Sequence, residues 1–143
     1  MATETVEKLN SFLRGEISAV ETYRQAIEKL GTKPQATVLN DCMRSHAERV
    51  TLLRDEIRRR GGEPAQGSGP WGAFAKLVEG GAGMFGEKAA VAALEEGEDH
   101  GRDDYKRDAS ELEPDARMFV EQRIMPEQLR THRVLSSLKK DLG

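Results

Sequence analysis

Stepping from Val6 by alternating threes and fours lands on Leu9, Leu13, Glu16, Val20, Tyr23, Ile27 and Leu30. That stripe predicts an amphipathic helix over about 4–30, packed nearly parallel to its neighbours, with one carboxylate inside its apolar seam. Thr3 or Thr5 can cap it, and Gly31 closes it as a C′ residue. A second stripe, Leu39, Met43, His46, Val50, Leu53 and Ile57, predicts a helix over 35–60 with an Arg- and Glu-rich outer face. Gly61-Gly62 and Pro64 stop it. The short link near Pro34 makes these two helices an antiparallel hairpin.

Residues 61–86 break the pattern. Their Gly- and Pro-rich composition, too long for a hairpin turn, predicts a crossover along the bundle, with Trp71, Phe74 and Leu77 lying over it as a lid. Periodicity resumes with Val91, Leu94, Glu98, Gly101 and Tyr105, a third helix over 87–112. Pro114 then suits the first turn of a fourth helix over 114–141, with seam residues Met118, Met125, Leu129, His132, Leu135 and Leu138. Pro126 removes a backbone donor within it and predicts a local irregularity. The expected fold is all-α: one four-helix-bundle domain over 1–143, two antiparallel hairpins joined by a long crossover.

The seams carry a duplicated polar pattern. Gly15-Glu16 is followed by Tyr23 at the spacing that separates Gly97-Glu98 from Tyr105. Each half later has a basic residue, a hydroxyl and a histidine, Arg44-Ser45-His46 and Arg130-Thr131-His132. An ionised, unpaired Glu on an apolar seam costs several kcal/mol, so two at equivalent places need partners. Metal is one answer, because carboxylate and neutral imidazole bind iron, manganese or zinc in helical bundles. Glu16, His46, Glu98 and His132 would be the ligands, Glu95 and Glu127 lie near enough to contribute, and Tyr23 and Tyr105 could hydrogen-bond the carboxylates. A buried salt-bridge network with the histidines or with Arg24 and Arg102 is the other answer. His100 reads as a surface residue and Cys42 as a small core residue.

Composition narrows the partners. Charged residues make up 33% and aromatics 5%, with a net charge of −3 and the two signs interspersed, so no surface is set up for nucleic acid. The N-terminus lacks the apolar core of a signal peptide, no stretch is apolar enough for a membrane span, and the single cysteine gives no disulfide. The expected location is cytoplasmic, and pairing into a homodimer is compatible with the pattern.

These residues resemble the ferritin-like superfamily. The Glu16–Tyr23 spacing looks like the bacterioferritin first helix, Gly97-Glu98 looks like the rubrerythrin third helix, and the histidine positions fall on His46 and His132. Gly61-Gly62-Glu63-Pro64, the Trp71 segment, Leu94-Glu95-Glu96-Gly97-Glu98-Asp99 and Tyr105 together are similar to a small bacterial family of four-helix proteins catalogued mainly as a domain of unknown function. The superfamily resemblance implies one or two iron or manganese ions, and, if the protein turns over, oxidation of Fe(II) or reduction of peroxide in a stress role. The chain departs from the superfamily's Glu-x-x-His motif, which needs Glu at positions occupied here by Met43 and Leu129. The alternative is a metal-free bundle serving as a structural or protein-interaction module.

Overall fold

The structure, a computed structural model, describes the backbone of residues 2–31, 33–69 and 72–142, and their side chains apart from those of residues 2 and 72–85. Helix α1 (Ala2–Leu30) starts ahead of both threonines expected to cap it. Thr5 is buried, and its hydroxyl accepts the Glu113 backbone N–H at 3.1 Å, so it caps the chain entering the fourth helix instead. Gly31, at φ 61°, closes α1 with its N–H on the Ile27 carbonyl. Helix α2 (Pro34–Arg59) opens directly on Pro34 and ends where Gly61 takes φ 78° and Gly62 N–H reaches back to the Ile57 carbonyl.

Beyond α2 the chain is pinned to α1 by Asn10, which donates to the Glu63 carbonyl and accepts from the Ala65 N–H. Helix α3 (Gly72–Asp108) is helical on both sides of Gly86, whose φ of 77° and ψ of −154° break its axis. The crossover expected over residues 61–86 is thus helical from Gly72 onward. The expected lid of Trp71, Phe74 and Leu77 lies outside the described side chains.

The last helix is one rod in three pieces: α4 (Pro114–Phe119), a wide π-helical turn over Val120–Ile124, and α5 (Met125–Leu142). Pro126 explains the wide turn. It has no N–H to offer the Gln122 carbonyl, and the Met125 N–H bonds five residues back to Val120. The inward residues of this rod are Ala116, Val120, Ile124, Gln128, Thr131 and Leu135. The expected seam is thus corrected, since Met118 is 57% and Leu129 43% exposed. The run Leu129, His132, Leu135, Leu138 advances by threes, about 60° short of a full turn at each step, and so leaves the inner face.

Among the described residues the regular elements are all helices, and together they form an all-α four-helix bundle. Its apolar interior is in two parts. One gathers Leu9, Leu13, Leu53, Ile57, Leu112 and Ile124, and the other Ala26, Leu39, Cys42, Val91, Leu94 and Leu135. Between them lies a layer of buried polar and charged side chains. No described helix is long and apolar enough to cross a membrane.

Candidate functional site

The polar layer is built around His46. Its Nδ1 lies 2.5 Å from Glu16 Oε1 and its Nε2 lies 2.8 Å from Glu98 Oε2. Only a doubly protonated ring can donate to both carboxylates, because a neutral imidazole leaves one lone pair facing an anion. The two tyrosines exchange helices: Tyr105 on α3 donates to Glu16 Oε2 at 2.6 Å, and Tyr23 on α1 donates to Glu98 Oε2. Neither phenol serves the glutamate of its own helix, since seven residues of rise, about 10 Å, exceed a tyrosine's reach. The crossed pairs are what antiparallel neighbours bring level. Thr131 donates to Glu98 Oε1 at 2.9 Å and completes that carboxylate.

Arg49 closes the layer. It is 1% exposed; its Nη1 lies 3.3 Å from Glu16 Oε2, and its Nη2 donates to Thr131 Oγ1 at 2.8 Å and to Ser45 Oγ at 3.0 Å. Two carboxylates thus meet one guanidinium and one imidazole, a cluster near neutrality when His46 is protonated. Burial alone would raise the Glu16 carboxyl, but Arg49 and His46 hold it down from 4.5 to about 2. Glu98 is likewise lowered, against its own burial, chiefly by His46. Burial and the Arg49 charge push His46 down, yet Glu16 and Glu98 outweigh them and its pKa is raised. Burial and the adjacent carboxylates push both tyrosines well above 10. A cavity of about 60 Å³ between α1 and α3, bordered by Gly15, Ser18, Thr22, Gly97 and Gly101, reaches this layer.

A second cluster lies outside the layer. Glu95, Asp99 and His132 each present a ligand atom, all within 4.8 Å of one another, and all three are half-buried. Glu95 and Asp99 are one turn apart on α3, and His132 comes from α5, with Nε2 2.6 Å from Asp99 Oδ1. Cations border the group: Arg102 Nη1 lies 3.2 Å from His132 Nε2 and Lys139 Nζ 3.4 Å from Glu95 Oε1. Ser136 donates to the other Glu95 oxygen at 3.1 Å.

The structure therefore brings together Glu16, His46 and Glu98, with Tyr23 and Tyr105 on their carboxylates, and it places His132 elsewhere, with Glu95. Glu127 adjoins the core layer by its carboxylate through Ser45, which also accepts from Arg49. Ser45 and Arg130 hydrogen-bond its carboxylate, and Arg130 foremost holds its pKa down to about 2. Of the salt-bridge partners expected for the buried glutamates, His46 serves both, while Arg49 takes the place expected for Arg24 or Arg102. Cys42 is fully buried, and burial foremost, with Glu98, pushes its thiol up to about 12, which keeps it protonated. Sequence reasoning named the Thr131 hydroxyl without a role and missed Arg49 and Asp99 as site residues. Cys42, His46, Arg49 and Leu53 already follow a four-three-four spacing, and Asp99 follows Glu95 by one turn, so both signals were present.

A protein-family profile matches residues 4–111 and carries the description Domain of unknown function (DUF2383). No curated protein and no solved structure matches the chain.

Proposed function

Since the chain belongs to the DUF2383 family of unknown function, we propose from its geometry that it is a metal-binding helical bundle holding one divalent cation at Glu95, Asp99 and His132. The observation that carries this reading is the convergence of two carboxylates and one imidazole from two helices within 4.8 Å. Ligand bonds of about 2.0–2.2 Å fit inside that span with small side-chain rotations. Two oxygens and one nitrogen form a hard, oxygen-rich set that suits Mn(II) or Fe(II). A metal binds only proton-free imidazole nitrogen and carboxylate oxygen, so affinity falls at low pH. Three protein ligands leave positions for solvent or peroxide, which is where a redox role in stress would reside. The superfamily resemblance agrees with such a role, which the proposed site carries at the rim and not in the core.

The core layer supports this displacement. N–H and O–H donors from Arg49, His46, Thr131 and both tyrosines already occupy the Glu16 and Glu98 oxygens. Arg49 supplies positive charge where a core cation would have to sit. The same closure favours a second reading, a metal-free bundle acting as a structural or interaction module, with the rim cluster as a plain surface network.

Calorimetric titration with Mn(II), and anaerobically with Fe(II), separates these readings. One equivalent should bind the wild type, Asp99→Ala/His132→Ala should lose at least tenfold in affinity, and Glu16→Gln/Glu98→Gln should keep the stoichiometry. Loss of binding in the second pair with retention in the first returns the site to the core. A wild type that binds neither ion leaves the module reading.

A further inference from the structure

On the outer side of the last helix, α5 and α2 part to leave a groove of about 390 Å³, lined by Val38 of α2 and by Arg133, Val134, Ser137, Leu138 and Asp141 of α5. Val38 is 39% exposed, and Leu129, one turn before Arg133, is 43% exposed. Arg133 and Asp141 are exposed and have no hydrogen-bond or ion-pair partner among the described residues. Their spacing is what selects an occupant. Each lies four residues from Ser137, one on either side, about 12 Å apart along the helix.

We propose that this groove is the docking surface for a second copy of the chain, with the two α5 helices packed antiparallel about a two-fold axis at Ser137. In that arrangement Arg133 of each copy faces the partner's Asp141, twice over by symmetry. Val134 and Leu138 fill the groove beside the ion pairs, Val38 covers them from α2, and Ser137 is small enough at the crossing for close approach of the helix axes. A face with one cation and one anion equidistant from its centre matches its own reversed copy. A uniformly acidic or basic partner would leave one of the two charges opposed. The proposal is independent of the metal reading, since none of these residues belongs to the rim cluster.

Sedimentation equilibrium of the full chain tests it. The wild type should pass from monomer to dimer through the micromolar range, as expected for an interface at the small end of specific ones. Arg133→Asp and Asp141→Arg should each be monomeric over that range, because each sets like charges opposite each other. Mixed in equal amounts, the two single variants should dimerise, since every Asp then faces an Arg. Unchanged far-UV circular dichroism of each variant shows that the fold is intact. A wild type that stays monomeric, a single variant that dimerises as the wild type does, or a mixture that fails to associate overturns the proposal.

Discussion

Replacing Arg49 with Met removes a charge from the polar layer while keeping an unbranched chain of similar length. The guanidinium is 1% exposed and holds Glu16, Ser45, Thr131 and the Glu127 carbonyl, the last at 3.3 Å. Removing one partner of a buried ion pair costs about 3–5 kcal/mol, because the survivor keeps its desolvation penalty. Here Glu16 retains His46 and Tyr105, so the lower end applies, about 3 kcal/mol. In a chain of this length each kcal/mol lowers Tm by about 2–4 °C, which gives a fall of roughly 6–12 °C. Urea unfolding followed by far-UV circular dichroism at pH 7 measures it directly. The Glu16→Gln variant should also be destabilised, and the double variant should lose about 1–3 kcal/mol less than the sum of the two, since each substitution removes the other's stranded charge. A loss below about 1 kcal/mol for Arg49→Met, or additivity within about 0.5 kcal/mol, refutes the view of this layer as a mutually dependent charge cluster.

Stability should also follow pH in a particular way. Glu16 is lowered from 4.5 to about 2, so its contribution, about 3 kcal/mol, is complete above pH 4.5 and drains as pH falls toward 2. His46 is raised from 6.5, so its contribution is complete below pH 6.5 and is lost as pH rises through its folded value. Melting temperature should therefore peak at roughly pH 5–6.5, with Glu16→Gln flattening the acid limb and His46→Gln the alkaline one. An alkaline limb identical in wild type and His46→Gln would contradict the assignment. The register of the last helix makes a further prediction: Leu129→Glu, which restores the superfamily motif on paper, should change stability by no more than about 0.5 kcal/mol and add no metal. A new bound ion in that variant would show that position 129 does face inward.

Much of this architecture can be read from the chain. The three-and-four spacing from Leu9 to Leu30 places Glu16 inside α1, and the same spacing places Glu98 inside α3, because both helices are long enough for the period to be unambiguous. Gly31, Pro34, Gly61 and Pro114 mark helix ends through backbone conformation alone. Pro126 announces an irregularity from the sequence alone. What periodicity does not resolve is which of two adjacent positions turns inward. Thr131 and His132 lie four and three residues before Leu135, straddling the inner direction, and the choice falls to Thr131 because its hydroxyl meets Glu98. Arg49 is obscured for a different reason. It sits in a helix rich in surface arginines, and only the carboxylate brought by α1 makes its burial affordable. The exchange of tyrosines is invisible for a third reason, since it is a property of two helices passing in opposite directions.

The placing of Thr131 beside His132, and of Glu98 beside Asp99, has a consequence for how the interior hears the exterior. On each helix a single peptide link separates the group that faces the buried charges from the group that faces the rim. Asp99 and His132 meet at the rim on the same two backbones that hold Thr131 against Glu98. Glu98 in turn is one of the two anions that keep His46 charged. The rim and the histidine in the heart of the bundle are thus two contacts apart, through Glu98.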